Sequence, residues 1–268
     1  MRIVVHPMRL VNRYFPWVRF VILGLLACAT ISFTAWMMPH SGTKEEEVKP
    51  VIQITDFSGV RRVRDLEHSK LVALTFDDGP YDVTTTRLLD ILKEKDARAT
   101  FFELGNMILR YPEVSKRVVK EKHELGSHSV AHQNLSTLSG AGVNGDTERM
   151  REIFNEVLGF EPKIMRPPYG AVSGAVRETG MPLILWSVDS LDWKSKDTNA
   201  IVDEVMGQVF DGAVILMHDI YDTTVDAVAI VIDKLKADGY EFATITEMAK
   251  VRNNSELLAG NSYFWFKL

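Results

Sequence analysis

The chain has 268 residues, of which 46% are hydrophobic, 25% charged and 9% aromatic, an ordinary globular balance that excludes collagen-like, disordered and multi-span membrane classes. Four of its 31 basic residues and none of its 36 acidic ones precede Lys44, leaving 27 against 36, a net charge of −9, over residues 44–268. That body does not suit nucleic acid, whose binding depends on Lys and Arg neutralising phosphates, and a single cysteine, Cys28, excludes a disulfide framework and a Cys-ligated zinc site.

Arg2, Arg9, Arg13 and Arg19 mark residues 1–19 as a basic segment, and Phe20–Met38 then runs without a charge. A helix over 20–38 would rise about 28 Å, close to the roughly 30 Å hydrocarbon core of a bilayer. Arginines before the run and Lys44-Glu45-Glu46-Glu47 after it place the N-terminus inside, with Trp17 and Trp36 at the two interfaces. The expectation is one transmembrane signal-anchor at the cell membrane, with the rest of the chain on the extracytoplasmic side. A cleaved signal peptide is a competing reading. So is a lipoprotein, because Leu25-Leu26-Ala27-Cys28 resembles a lipoprotein box, although the next ten residues stay apolar. All three export residues 44–268.

Residues 39–70 read as tether and lead-in, with His40–Pro50 polar, charged and Pro-ended; Val51–Lys70 adds one strand or packs outside. From Leu71 onward short apolar runs alternate with amphipathic segments, without a linker, repeat or low-complexity stretch. Leu71–Phe76, Ala99–Leu104, Glu124–Ser127, Lys163–Arg166, Leu183–Val188, Ala213–Met217 and Glu241–Ile245 predict strands. Thr84–Glu94, Asn106–Lys122, Asn144–Leu158, Val172–Thr179, Thr198–Val209 and Thr224–Ala237 predict the helices between them. Strand–helix alternation at this pitch gives one parallel α/β domain over 71–248, most simply a barrel. In the segment 249–268 the aromatic Asn261–Leu268 reads as a docked terminus.

Chemistry in such a domain gathers at the carboxyl ends of the strands, and five apolar runs end in ionisable or loop-forming residues. The first ends in Asp77-Asp78-Gly79-Pro80, the third in His128 with His132 four residues on, and the fourth in Arg166-Pro167-Pro168-Tyr169-Gly170. Asp189-Ser190-Leu191-Asp192-Trp193 and His218-Asp219 close two more. The histidine spacing lets both imidazoles reach one metal, and two histidines with a carboxylate leave an open position of the catalytic zinc type. Consecutive residues of an extended segment point opposite ways, so one of Asp77 and Asp78 can bind metal while the other stays free as a base. Against this, Asp-Asp-Gly-Pro also reads as a tight turn, and two solvated histidines are common. Arg166 can hold a carboxylate ionised or form a surface ion pair. Asp192 can raise the pKa of His218, as a general acid needs, and Trp193 can wall a sugar or pack in the core. His6, His40 and His68 lie in the N-terminal and tether regions, and His123, among charges, reads as solvated. No P-loop, nucleophile elbow, HExxH or Rossmann glycine pattern occurs.

Thr75-Phe76-Asp77-Asp78-Gly79-Pro80, His128-Ser129-Val130-Ala131-His132, Arg166-Pro167-Pro168-Tyr169-Gly170, Asp189-Ser190-Leu191-Asp192-Trp193 and Leu216-Met217-His218 resemble the five ordered motifs of the polysaccharide deacetylases, the NodB homology domain of carbohydrate esterase family 4. The resemblance covers about Leu71 to Met248. It implies a distorted (β/α) barrel of about seven parallel strands. It implies a metal triad of Asp78, His128 and His132, usually holding zinc, with other divalent ions such as cobalt possible in relatives. Asp77 matches the base, Arg166 the residue that positions it, and the Tyr169 backbone N–H an oxyanion donor. His218 matches the acid, tuned by Asp192, while Trp193 and Leu216 match walls of the acetyl pocket and groove; Pro168 is hydroxylated in some relatives. The implied reaction is metal-dependent N-deacetylation of an N-acetylhexosamine glycan outside the membrane, with peptidoglycan N-acetylglucosamine leading, chitin-type oligosaccharides behind it, and no protein partner. The rival readings are O-acetyl ester hydrolysis at the same site and a non-catalytic glycan-binding surface protein.

Overall fold

Every residue of the run Lys70–Asp77 after Lys70 is buried, as a strand covered on both faces requires. It forms β1 of the structure, a computed structural model that describes residues 66–253 and 256–267. The expected basic segment, signal-anchor and most of the tether lie outside those residues. Among the described residues no helix is long and apolar enough to cross a membrane.

After β1 come α1 (Thr84–Glu94), β2 (Ala99–Glu103), α2 (Gly105–Arg110), α3 (Pro112–Lys120), β3 (Glu124–Ser127) and α4 (Gly140–Leu158). The second half holds α5 (Gly174–Arg177), β4 (Leu183–Ile184), β5 (Val188–Asp189), α6 (Asp192–Ser195) and α7 (Thr198–Gln208). It continues with β6 (Ala213–His218), α8 (Asp222–Ala237), β7 (Tyr240–Phe242), α9 (Ile245–Asn253) and β8 (Ser262–Tyr263).

The main sheet runs β3-β2-β1-β6-β5, and β7 pairs with the first residues of β1; all these pairings are parallel. Met165 carries the circuit onward, bridging Ser127 of β3 and Leu183 of β4. The chain then passes from β4 directly into β5, which lies beside β6. The expected parallel α/β class is therefore present, with strands arranged as in a barrel. Side chains alternate between its faces. Leu71, Ala73, Phe102 and Val214 pack in one cluster inside, while Val72, Leu74, Phe76, Phe101, Ile215 and Met217 pack outward with α1, α7 and α8. The same alternation brings Asp77 and His218, paired in register at the strand ends, onto the inner face.

Several elements differ from expectation, each for a local reason. Asn106–Lys122 divides at Tyr111-Pro112, because proline lacks the N–H that a continuous helix needs. Lys163–Arg166 contributes only the bridge at Met165. Leu183–Val188 breaks in the middle, where Arg166 takes the Ile184 and Leu185 carbonyls. Glu241–Ile245 is strand only to Phe242, since Thr244 and Glu247 exchange side chain-to-amide bonds and start α9 with a capping box. That helix runs past the expected domain limit at 248. α4 begins earlier than Asn144 on a Ser139 cap, and Val172–Thr179 shrinks to the single turn α5. His123 is buried rather than solvated: Nδ1 accepts from the Ala99 amide at 3.2 Å, and burial beside Arg98 and Arg117 pushes its pKa down to about 3.

The tail is docked as expected. β8 pairs with β4, Phe266 is buried in the inner cluster, and its amide bonds the Gly212 carbonyl at 2.9 Å. Gly212 has φ +90°, and a Cβ there would lie 1.8 Å from the Phe266 carbonyl oxygen. Gly212→Ala should lower stability by about 2 kcal/mol or more, read as a lower denaturant midpoint at unchanged slope. An unchanged midpoint would contradict this docking.

Candidate active site

Arg166 enters the barrel from the segment after Met165, and its side chain is wholly buried. Its Nη1 donates to Asp77 Oδ1 at 2.7 Å and to Thr75 Oγ1 at 2.8 Å. Nε and Nη2 donate to the carbonyls of Ile184 and Leu185, both at 3.0 Å, and the guanidinium lies 4.3 Å over the Phe102 ring. Burial works against the charge, lowering the Arg166 pKa, and Asp77 opposes that loss. The surface ion pair left open by the sequence is excluded. The fork has a fixed geometry in which one arm is spent on Asp77.

Asp78, one residue on, has φ +76° and is not extended. The two carboxylates therefore do not point opposite ways, as strand geometry predicts; they share one mouth. His128 Nε2 lies 3.4 Å from Asp78 Oδ1 and 3.7 Å from Asp77 Oδ2, and His132 Nε2 lies 3.3 Å from Asp78 Oδ1. Ligand atoms of Asp78, His128 and His132 all fall within 4.8 Å of one another. Asp78 Oδ1 is buried without a hydrogen-bond partner, and the 3.3–3.4 Å approaches are too long to serve as good ones. His128 Nδ1 sits 2.7 Å from the Arg166 carbonyl, which fixes the Nδ1–H tautomer and turns the Nε2 lone pair toward Asp78. An orphaned carboxylate oxygen facing two imidazole lone pairs fits a divalent metal. Burial alone would raise the Asp78 pKa; the His128, His132 and His218 imidazoles outweigh it and hold the carboxyl below its usual value.

On the other side of the mouth, His218 Nδ1 and Asp192 Oδ1 are 2.7 Å apart. Asp192 is fully buried and accepts three further bonds, from the amides of Trp193 and His218 and from Thr224 Oγ1. Burial would lower the His218 pKa, but the Asp192 hydrogen bond and charge, with Asp77 and Asp78 adding, push it up to about 9. At neutral pH this imidazole carries a proton on a ring nitrogen not engaged by Asp192.

Tyr169 has φ +63° in the turn Pro168–Gly170. The turn's own bonds run from the Gly170 and Ala171 amides, leaving the Tyr169 N–H outside them. Its ring is exposed and stands edge-on to His132 at 4.7 Å. Trp193 is 49% exposed, which excludes core packing, and Leu216 is buried beside Thr75 in register. All ten predicted residues thus meet at one end of the sheet.

Sequence reasoning missed Thr75, Thr224 and the support beneath the Asp78 loop. Glu103 ends β2 and Asp219 directly follows β6; both are fully buried, each with one unpartnered oxygen. Burial pushes their pKa values up to about 8 and about 7. Thr85 Oγ1 donates to Asp219 at 2.5 Å and accepts from the Tyr81 amide at 2.7 Å, tying the loop down. Any Cβ at Gly79 would meet Asp219 at 2.4 Å, so this position needs glycine. The motif Asp-Asp-Gly-Pro held that signal; Thr75 opened the same motif without an assigned role, and the isolated Thr85 and Thr224 carried none.

Residues 65–182 match the polysaccharide deacetylase family. The chain is 40% identical over 190 residues to the peptidoglycan-N-acetylmuramic acid deacetylase PdaC of Bacillus subtilis, covering 70% of this chain and 41% of that protein. A solved structure of PdaC matches with TM-score 0.68 and 40% identity over 70% of this chain and 94% of the solved one. A peptidoglycan-N-acetylglucosamine deacetylase of Bacillus cereus is 34% identical, over 69% of this chain and 91% of its own length. The chain belongs to the polysaccharide deacetylase family. A further member, a family 4 acetyl xylan esterase from Clostridium thermocellum solved with a cobalt ion, has TM-score 0.70 at 30% identity, over 74% of this chain and 100% of that one. Against PdaC this deacetylase-family chain spans about two fifths of the full length.

The His218–Asp192 pair gives a sign-definite test. A folded pKa raised from 6.5 to about 9 contributes stability that is complete below 6.5 and is lost as pH rises through 9. In metal-free protein, the His218 ring should titrate near 9 by NMR, and Asp192→Asn should bring the midpoint below about 7 and abolish that alkaline loss of stability. A midpoint unmoved by the substitution would contradict the assignment.

Proposed function

We propose that this chain is a metal-dependent N-deacetylase of an N-acetylated extracytoplasmic glycan, with peptidoglycan N-acetylglucosamine as the leading substrate. The observation that carries the reading is the arrangement of one mouth: a carboxylate held by buried Arg166 stands beside the Asp78–His128–His132 cluster, and a protonated His218 stands opposite. Family membership and the peptidoglycan deacetylases among the relatives support it.

A divalent metal, zinc by preference and cobalt as an alternative, would be held by Asp78, His128 and His132 and would supply Lewis acidity and a water of lowered pKa. Asp77, oriented by Arg166 at 2.7 Å, takes the proton of the attacking water. The Tyr169 N–H, which the turn's own bonds leave unused, donates to the developing oxyanion; one such donor is typically worth about 3 to 4 kcal/mol. His218 then gives its proton to the leaving nitrogen, and Asp192 stabilises the imidazolium until that moment. Trp193 and Leu216 wall the acetyl group and its sugar. The charge-free run 20–38 supports a membrane anchor that holds this chemistry on the outer side.

Acetate release from peptidoglycan, N-acetylglucosamine oligomers and O-acetylated xylan tests the reading. The expected result is metal-dependent acetate from the N-acetylated substrates, lost on chelation, and a fall of about 10²- to 10⁴-fold in kcat for Asp77→Asn with the fold retained. Acetate from xylan alone would turn the assignment to an esterase. None from any substrate, with metal bound, would overturn it.

A further inference from the structure

Three exposed or half-exposed tyrosines lie beyond the residues used above. Tyr81 lies beyond the carboxyl end of β1 and Tyr221 beyond that of β6, while Tyr111 sits between α2 and α3. Tyr111 and Tyr81 have ring centroids 6.1 Å apart, and Thr85 Oγ1 joins the Tyr81 amide to Asp219, two residues before Tyr221. Tyr221 lies 6.2 Å from the His218 ring, so this row of rings reaches the reacting centre. A cation stands at each end. The Arg110 guanidinium carbon is 5.1 Å from the Tyr111 ring, and Lys196 Nζ, after α6, is 5.1 Å from the Tyr221 ring.

Among the described residues neither cation is in an ion pair. Nearby carboxylates are otherwise engaged: Asp222 pairs with Arg87, and Asp197 caps α7 through the Ala200 amide. Asp82 is exposed beside Tyr81. Tyrosine faces offer the flat, amphipathic area on which a sugar's C–H face can rest, with a hydroxyl left for its polar edge. A row of such faces suits several sugars in sequence. Cations at both ends suit a glycan that carries carboxylates along its length.

We propose that Arg110, Tyr111, Tyr81, Tyr221 and Lys196 form an extended binding rim for sugars flanking the one that reacts, and that its terminal cations select a glycan bearing carboxylates, such as peptide-substituted peptidoglycan, over a neutral one. This rests on the deacetylase reading and deepens it. The rings supply length, which a single-sugar pocket lacks, and the cations supply charge selectivity.

The test measures kcat/KM of the full chain, loaded with zinc, on peptide-bearing peptidoglycan and on a neutral N-acetylglucosamine tetramer. For Arg110→Gln combined with Lys196→Gln, the ratio of the two values should fall about tenfold, and the salt dependence on peptidoglycan should flatten. Arg110→Lys combined with Lys196→Arg should restore both. Tyr81→Leu and Tyr221→Leu should raise KM on both substrates, with a larger rise on the tetramer than on a dimer. An unchanged ratio, or equal losses on acidic and neutral substrates with an unchanged melting temperature, would overturn the rim while leaving the deacetylase reading intact. A wild-type chain that releases no acetate from any substrate, with zinc bound, would instead overturn the deacetylase reading beneath it.

Discussion

A buried guanidinium organises this mouth. Arg166 has no exposed surface, and its donors are divided among Asp77, Thr75 and two carbonyls of the segment that links β4 to β5. Burying a charge is expensive unless every donor is used, and removing one partner of a buried pair typically costs about 3 to 5 kcal/mol. The same bonds that satisfy the charge interrupt a strand, hold Asp77 on the inner face, and present the Arg166 carbonyl to His128. One residue therefore sets the barrel's local break, the orientation of Asp77 and a histidine's tautomer.

The consequence is a division of labour between adjacent carboxylates. Asp77 is the last residue of β1 and is committed to Arg166. Asp78 leaves the strand in a left-handed conformation and faces the two imidazoles with an unpartnered oxygen. Two neighbouring acids in one mouth would otherwise repel and share a proton. Here a fixed cation pairs with one, and the imidazoles of His128 and His132 face the other. Across the mouth Asp192 holds a proton on the His218 imidazole.

Much of this was legible because each chemical residue closes an apolar run, so period-two burial carries it to one end of a parallel sheet. Asp77, His128, Arg166, Asp192 and His218 could be placed on that basis. The relation of Asp77 to Asp78 could not, because it depends on one positive φ that the run of extended residues does not announce. The tasks of Thr224 and Thr75 were invisible for a different reason. A threonine in a helix or a strand is ordinary, and only its neighbour across the fold gives it a task. His123 shows the converse error, since surrounding charges suggested solvent while its strand-end position buried it. The Thr244–Glu247 capping box was written in the sequence, yet an apolar run across it read as strand.

The central claim is that Arg166 withdraws Asp77 from the metal and leaves Asp78 to bind it. Isothermal titration of zinc into metal-free wild-type, Asp77→Asn and Asp78→Asn proteins tests this without any substrate. Expected are one site in the wild type, an affinity within a few-fold of that value in Asp77→Asn, and a loss of about 100-fold or more in Asp78→Asn. Equal losses in the two variants would contradict it, because both carboxylates would then be ligands and neither would be free to act as the base.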